Sequence, residues 1–312
     1  MATYHIEPER ATLHGHFSRD LPPILTIETG DTVVFRTLDA GWNLAPGPSH
    51  QVRKFSPRDA VKDDGHALCG PIAVRGAEPG MTLAVEIKSI TPGTWGWGGA
   101  GGWPHPVNQR LGLTGEQTPF HWDIDPAAGT ARNQHGHVVT LRPFLGVMGM
   151  PTDESGILST SPPRVTGGNI DCRELVTGST LYLPIAVAGG LFSVGDGHGA
   201  QGDGEVSVLA LECPMERVEL TFRLHPDLHL AAPRAETPIG WLTLGLHEDL
   251  NEATYLALDA MLDLMIEKES SLTRTQALAL ASVIVDLRIT QIVNGVKGVH
   301  AILPHGALQK IS

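Results

Sequence analysis

Hydrophobic and polar positions alternate with a period of two over most of the first two thirds of the chain. Such runs occupy residues 24–28, 32–36, 82–87 and 180–187, and turns containing glycine or proline separate them. Alternation of this kind is typical of half-buried β-strands. The turn at Gly30 predicts that the first two runs form a β-hairpin. Many short strands favour packing as a sandwich or a barrel.

The pattern changes beyond Glu216, where strand-like alternation gives way to helical spacing. Asp249 and Thr273 each have a glutamate or glutamine three residues later, which predicts two helix starts. Asn294-Gly295 then predicts the end of the second helix, and a last strand follows at residues 298–303.

The fold class predicted is therefore α+β and predominantly β. A sandwich- or barrel-like β-rich body occupies residues 1–216 and carries the site motifs, and an α+β segment with two helices occupies residues 217–312. The two parts are also compatible with one continuous domain.

Three other segments have less regular patterns. Residues 39–66 are polar and proline-containing, which predicts a long loop. Residues 95–103 are rich in glycine and tryptophan and predict a loop whose tryptophans cover the core or wall a pocket. Residues 206–212 predict a further strand.

Composition and charge restrict the partners of this 312-residue chain. Its formal net charge is −12 and it has no run rich in lysine or arginine, which argues against nucleic acid and anionic membranes. No apolar segment approaches the roughly 18 residues of a membrane span, and the first ten residues lack the apolar core of a signal peptide. The three cysteines form no CxxC pair, which favours reduced thiols. We expect a cytoplasmic protein.

The polar side chains with the strongest chemical signal lie between Gly189 and Glu205. In this stretch glycines alternate with Asp196, His198, Gln201, Asp203 and Glu205. Carboxylate oxygens and imidazole nitrogens are ligands of divalent cations, and a free carboxylate can accept a proton from water. The alternative is an acidic loop with ordinary turn-forming glycines.

Two His-Gly-His segments are weaker candidates for metal binding. Their histidines, His14 with His16 and His135 with His137, would share one face of an extended chain. Histidines that face solvent or form ordinary hydrogen bonds are the alternative interpretation.

Several motifs together resemble the acetamidase/formamidase family. They are Gly70-Pro71, residues 76–80 with 83–87, residues 168–171, residues 181–184 and residues 195–205. The resemblance spans nearly the whole chain. Met81 stands where the family usually has an acidic residue, and Cys69 stands where threonine is common.

The resemblance implies a β-rich α+β fold, a homodimer or higher homo-oligomer, and hydrolysis of short amides to carboxylate and ammonia. Metal-bound members are expected. The departures from the family pattern at Met81 and Cys69, and the variable 39–66 loop, bear on substrate choice more than on fold.

Amide hydrolysis requires an activated nucleophile and stabilisation of the oxyanion, and a divalent metal can supply both. Zinc is the expected metal and calcium the alternative. The candidate ligands are Asp171, Asp196 and His198, with His66 as a fourth. Glu205 is the predicted general base, and Asp203 is the competing choice.

The remaining predicted roles concern the substrate and the alternatives. Asn169 and Gln201 could bind the amide group, and Trp97 could close the pocket. A second mechanism would use Cys172 as nucleophile and His198 as base, although the neighbouring Asp171 charge disfavours a thiolate. A non-catalytic β-sandwich that binds a metal or a sugar is the alternative from another class.

Overall fold

The computed structural model describes residues 1–46 and 53–309. Two large β-sheets dominate it, and strands are numbered β1 to β21 and helices α1 to α3 along the described chain. Residues 47–52, within the predicted 39–66 loop, lie outside the described part. The predicted fold class is confirmed.

The larger sheet has nine strands, and strands from both ends of the chain contribute to it. In spatial order they are β1 (Thr3–Ile6), β4 (Thr32–Thr37), β17 (Met215–His225), β8 (Thr82–Pro92), β15 (Thr180–Pro184), β18 (Arg234–Thr237), β19 (Gly240–His247), β21 (Lys297–Pro304) and β20 (Asp286–Gln291). Neighbouring strands are antiparallel except for β1 and β4.

The second sheet has six strands and carries three of the candidate site residues, Asn169, Asp196 and His198. Its order is β14 (Gly167–Asn169), β13 (Phe144–Gly149), β16 (Phe192–His198), β7 (Leu68–Val74) and β2 (Leu13–His14), and β3 (Leu25–Ile27) also pairs with β7. All residues of β7, β13 and β16 are buried, as expected for strands covered on both faces.

The remaining described elements are two small sheets and the helices. They are a four-stranded sheet of β9 (Trp95–Ala100), β10 (Thr118–Asp125), β11 (Thr130–Asn133) and β12 (Val138–Thr140), a pair β5 (Asn43–Ala45) and β6 (Arg53–Lys54), and the helices α1 (Pro106–Leu111), α2 (Leu250–Lys268) and α3 (Arg274–Ile284).

The two large sheets share one hydrophobic core. Phe35 and Val85 of the nine-stranded sheet belong to the same buried cluster as Ile72 and Phe192 of the six-stranded sheet. The rings of Phe192 and Phe222 meet edge to face with centroids 5.1 Å apart. The body is therefore a sandwich in which apolar faces bury one another.

The helices pack on the C-terminal end of the nine-stranded sheet. Ala257, Met261 and Ala277 form a second buried cluster with Val299 and Ala301 of β21. No helix among the described residues is long and apolar enough to cross a bilayer. The predicted boundary near residue 216 stays a prediction, and a sheet that includes strands from both sides favours one continuous domain.

The capping prediction is correct for α3, but the predicted end of this helix is wrong. Thr273 and Gln276 form a reciprocal capping box. The helix ends at Ile284 because Val285 is extended, and β20 begins directly afterwards. Asn294-Gly295 therefore belongs to the turn between β20 and β21.

Three predictions about strands need correction. The runs around Gly30 form no hairpin, because β3 pairs with β7 and β4 pairs with β1 and β17. Residues 206–212 form turns rather than a strand, since Val208 has a φ of 74°. Conversely, the predicted loop at residues 95–103 contains β9.

His14 is a buried histidine with two hydrogen-bonded ring nitrogens and does not match a metal ligand. Its Nδ1 lies 2.6 Å from the His16 carbonyl oxygen and its Nε2 lies 2.9 Å from Ser193 Oγ. Burial lowers the pKa of His14 to about 4.

We expect His14 to destabilise the protein in acid. Because its folded pKa lies below its unfolded value of about 6.5, the unfolded state binds the proton first, and stability is lost as the pH falls from 6.5 towards 4. Between about pH 7 and pH 4.5 the His14→Gln variant should lose about 2 kcal/mol less than the wild type. Urea unfolding at both pH values measures this difference. Equal losses would contradict the assignment.

Candidate functional site

Strand β16 places Asp196 and His198 on one face of the six-stranded sheet, because residues two apart in a strand share a face. His198 Nε2 lies 3.3 Å from Asp196 Oδ1 and 3.3 Å from Glu212 Oε2. Glu212 is held there because its backbone pairs with that of Trp97 and also bridges to His198. One imidazole therefore lies between two buried carboxylates.

Asp171 follows β14 and Glu205 lies in the turn after β16, and both reach the same histidine. The ligand atoms of Asp171, His198 and Glu205 lie within 4.8 Å of one another, and so do those of Asp196, His198 and Glu212. All five side chains are buried. They form what we term the carboxylate–imidazole cluster.

The backbone is strained at three members of this cluster. Asp171, Asp196 and Glu205 have φ angles of 54°, 58° and 46°. Residues with a Cβ rarely adopt this left-handed conformation, which costs on the order of 1–3 kcal/mol and occurs often at functional sites. The strain turns these carboxylates towards the cluster at the expense of local stability.

Asp171 Oδ1 has no hydrogen-bond partner among the described residues, and Glu212 Oε2 makes no hydrogen bond there although it lies 3.3 Å from His198 Nε2. Gly146 of β13 faces the same point. A Cβ added there would lie 2.6 Å from Asp171 Oδ1 and 2.9 Å from His198 Cε1, and would also collide with Asp196 Oδ2. A buried, unpaired carboxylate oxygen is costly. The carboxylate and imidazole groups of the cluster, including Asp171 Oδ1 and Glu212 Oε2, suit a divalent cation as ligands.

The charges of the cluster support the same conclusion. Burial, together with the Asp196 charge, raises the pKa of Asp171 to about 8. Burial and a neighbouring carboxylate charge also raise the pKa values of Glu205 and Glu212. Burial lowers the pKa of His198, but the neighbouring carboxylates Glu212 and Asp196 raise it above its ordinary value. Burial raises the pKa of Asp196, but His198 and His66 lower it below its ordinary value. Burial of four carboxylates around one imidazole disfavours their ionised forms, and a bound cation would offset this cost.

Gln201 and Asn294 hold the cluster in place. Gln201 Oε1 lies 2.9 Å from His198 Nδ1, and its Nε2 donates to the Asp171 carbonyl oxygen at 2.9 Å. Asn294 Nδ2 donates to Asp171 Oδ2 at 2.7 Å and lies 3.5 Å from Glu205 Oε2. The amide group of Gln201 is therefore engaged within the protein, and its predicted role towards substrate stays a prediction.

Three other predicted site residues lie around the cluster rather than within it. His66 Nδ1 lies 2.7 Å from Thr160 Oγ1, outside both groups of potential metal ligands. Asn169 Nδ2 donates to the Ser161 carbonyl oxygen, and its Oδ1 is buried without a hydrogen-bond partner. Trp97 Nε1 donates to the buried Asp39 carboxylate at 2.6 Å.

Asp203 lies in a different group from Glu205. Its carboxylate lies near Glu174 and His300, and Asp203 Oδ2 is 3.8 Å from Arg288 Nη1. Glu174 accepts hydrogen bonds from Arg142 and from Arg288. Asp203 is therefore separated from the carboxylate–imidazole cluster, to which Glu205 belongs.

A cavity of about 480 Å³ borders the cluster, and Gln201, Asp203 and Glu205 line one part of its wall. Glu205 is the one member of the cluster that lines it. Of the five cluster residues, Glu205 is therefore the one that a small molecule in the cavity would contact.

Sequence reasoning missed Glu212, Asn294 and Gly146. Glu212 ends the run that predicted a strand, and Asn294-Gly295 has the sequence of an ordinary turn or helix end. Neither segment carries a local signal for chemistry. The glycine-rich pattern around Asp196 and His198 predicted two residues that the structure places in the carboxylate–imidazole cluster, and their role in a functional site stays a prediction.

Comparisons with known proteins identify the family of this chain. The family model described as the Acetamidase/Formamidase family matches residues 2–155 and 153–238. Formamidase of Methylophilus methylotrophus is 26% identical over 251 residues, which are 62% of this chain and 60% of the relative. Acetamidase of Mycolicibacterium smegmatis is 26% identical over 255 residues, 62% of this chain and 61% of the relative. The matches thus span about 60% of the length of these relatives.

The fold is similar to that of a crystal structure of a recombinant predicted acetamidase/formamidase from Thermoanaerobacter tengcongensis. The TM-score is 0.85 at 25% sequence identity, and the match covers 97% of this chain and 96% of the other. Since the family model also covers most of the sequence, the chain belongs to the acetamidase/formamidase family.

Proposed function

We propose that this protein hydrolyses an amide to a carboxylate and ammonium. The observation that carries the proposal is the buried carboxylate–imidazole cluster, in which Glu205 lies close to Asp171 and His198 and also lines the wall of a cavity. The relatives named formamidase and acetamidase support a linear amide as substrate.

Asp171, Asp196 and His198 would hold a divalent cation. Glu212, rather than His66, would be the fourth protein ligand. When bound, such a cation lowers the pKa of water and polarises the amide carbonyl. Mixed carboxylate and imidazole ligands suit zinc, whereas calcium takes about six to eight oxygen ligands. Zinc is therefore the proposed metal.

Glu205 moves the proton in this mechanism. Its carboxylate accepts a proton from water as the water oxygen bonds to the amide carbon. The carbon–nitrogen bond then breaks as Glu205 returns the proton to the leaving nitrogen. These steps give the carboxylic acid and ammonia, and transfer of the acid's proton to ammonia in water gives carboxylate and ammonium. The raised pKa of Glu205, caused mainly by burial, favours both the acceptance and the return of the proton.

The alternative with Cys172 as nucleophile has less structural support. The thiol is completely buried, and burial together with the Asp203 charge raises its pKa. A nucleophilic cysteine needs access and a depressed pKa.

Ammonia release tests the proposal directly. The purified protein should release ammonia from formamide or acetamide, lose this activity after dialysis against a chelator, and regain it with Zn²⁺ but not with Ca²⁺. Full activity in metal-free protein would contradict the metal role. No ammonia from folded, zinc-loaded protein with any amide would contradict the function and favour a non-catalytic binding module.

Asn294 should orient Asp171 and Glu205, because its amide lies against both carboxylates. Removing such an outer partner typically costs about 10- to 100-fold in metal affinity or activity. Asn294→Ala should show this loss in kcat and in zinc affinity, measured by ammonia release and by competition with a zinc chelator. Val296→Ala, in the same turn, is the control. An unchanged kcat in Asn294→Ala would show that Asn294 does not orient Asp171 and Glu205 for catalysis.

The predicted homo-oligomer, the cytoplasmic location and the roles of Asn169 and Trp97 stay predictions. Light scattering would test the oligomer.

A further inference from the structure

The cavity beside Glu205 is large for formamide or acetamide. Its volume of about 480 Å³ corresponds to roughly sixteen water molecules at about 30 Å³ each. Cavities of about 300–1,000 Å³ typically hold drug-sized ligands. Either small amide would leave most of this space to water.

The walls of the cavity are apolar away from Glu205. Phe120 and Trp122 of β10 line it, with ring centroids 6.1 Å apart in an edge-to-face arrangement, and both are half-buried. Val139 of β12 and Leu209 and Leu211 complete this apolar wall. An apolar ligand group would remove these surfaces from water, which is favourable.

The charged groups of the cavity come from one short segment. Asp203 and Glu205 lie two residues apart, directly after Gln201, and no lysine, arginine or histidine lines the cavity among the described residues. A substrate with a negatively charged acyl group would therefore find no cation to pair with. The lining favours a molecule that is polar at one end and uncharged and apolar at the other.

We infer that the substrate is a primary amide with a bulky apolar acyl group, of the size of a branched alkyl chain or an aromatic ring. The inference rests on the proposed function. The amide group lies at Glu205 and the acyl group against Phe120 and Trp122. Because the proposed reaction releases ammonia, the apolar group is on the carbonyl carbon.

Ammonia release from zinc-loaded protein should show this preference across formamide, acetamide, isovaleramide and phenylacetamide. Each buried methylene is worth about 0.8 kcal/mol, or about fourfold in kcat/KM. The three additional carbon atoms of isovaleramide should raise kcat/KM roughly 60-fold above that of acetamide, and phenylacetamide should exceed acetamide as well.

Two variants test whether the cavity causes the preference. Ala100→Leu narrows the cavity that Ala100 lines and should lower kcat/KM for phenylacetamide at least about tenfold more than for acetamide. Ala128→Leu, at an exposed position in the turn between β10 and β11, is the matched control. Val206→Lys places a charge at the cavity wall. Because the Val206 side chain is 63% exposed, the substitution should not affect folding. This variant should also lower kcat/KM more for the larger amides than for acetamide.

The outcomes separate the two proposals. If acetamide is hydrolysed and kcat/KM falls as the acyl group grows, the inference is wrong while the proposed function stands. Equal effects of Ala100→Leu and Val206→Lys on acetamide and phenylacetamide would also overturn it. If the zinc-loaded wild type releases no ammonia from any of the four amides, the proposed function and the inference both fail.

Discussion

Glu205→Gln should lower kcat for amide hydrolysis by about 10²- to 10⁴-fold, the usual contribution of a general acid–base group. Glutamine keeps the size of the side chain but cannot accept the proton of the attacking water. Because the change is nearly isosteric and removes one of four buried carboxylates, the fold should be retained. Stopped assays of ammonia release give kcat, and elemental analysis gives the zinc content.

The comparison variant is Asp203→Asn, which alters the other candidate base. Since Asp203 lies towards Glu174, His300 and Arg288, its loss should affect kcat much less. If Glu205→Gln loses its zinc, Glu205 is a ligand rather than the base. Near-normal turnover by the folded Glu205 variant would exclude it from the mechanism.

Gly146→Ala should abolish activity and zinc binding together. The added methyl group would collide with the carboxylates of Asp171 and Asp196 and with the His198 ring, so at least one of them must move. Loss of a residue that only hydrogen-bonds to a metal ligand costs about 10- to 100-fold in metal affinity or activity. Displacement of the candidate ligands themselves should therefore lower both zinc affinity and kcat more than about 100-fold. Zinc titration and ammonia release measure the two effects.

The matched control is Gly115→Ala, because a Cβ at Gly115 meets no atom within 4 Å. This variant should keep full zinc affinity and activity. Circular dichroism would establish that both variants fold. A folded Gly146→Ala variant that retains zinc and turnover would show that the cation is not held by these three residues.

Much of the fold follows from local patterns. The alternation at residues 82–87 predicted part of β8, and the Thr273–Gln276 pair predicted the start of α3, because periodicity and capping depend on neighbours along the chain. The hairpin predicted around Gly30 was wrong because neighbours along the chain do not determine which strands pair. The local pattern indicates two strands and a turn but not that each strand pairs in a different sheet.

The candidate site divides in a similar way. Asp196, His198 and Glu205 stand out in the sequence because a dense run of glycines separates polar residues, and the family resemblance adds Asp171. Their convergence on one histidine is consistent with the proposed ligands and base. The structure also separates Asp203 from Glu205, two residues away, because the positive φ of Glu205 and the turn that follows direct the two carboxylates apart.

The sequence by itself determined the β-rich class, the C-terminal helices and the family, and it predicted the glycine-rich segment as the centre of the candidate site. Only the tertiary structure decided that Glu212, Asn294 and Gly146 complete it. Asn294 is 123 residues from Asp171, and Glu212 reaches His198 through its pairing with Trp97 of β9. Such contacts depend on strand pairing and sheet packing between distant segments. An isolated glutamate, asparagine or glycine carries no local pattern that could reveal them.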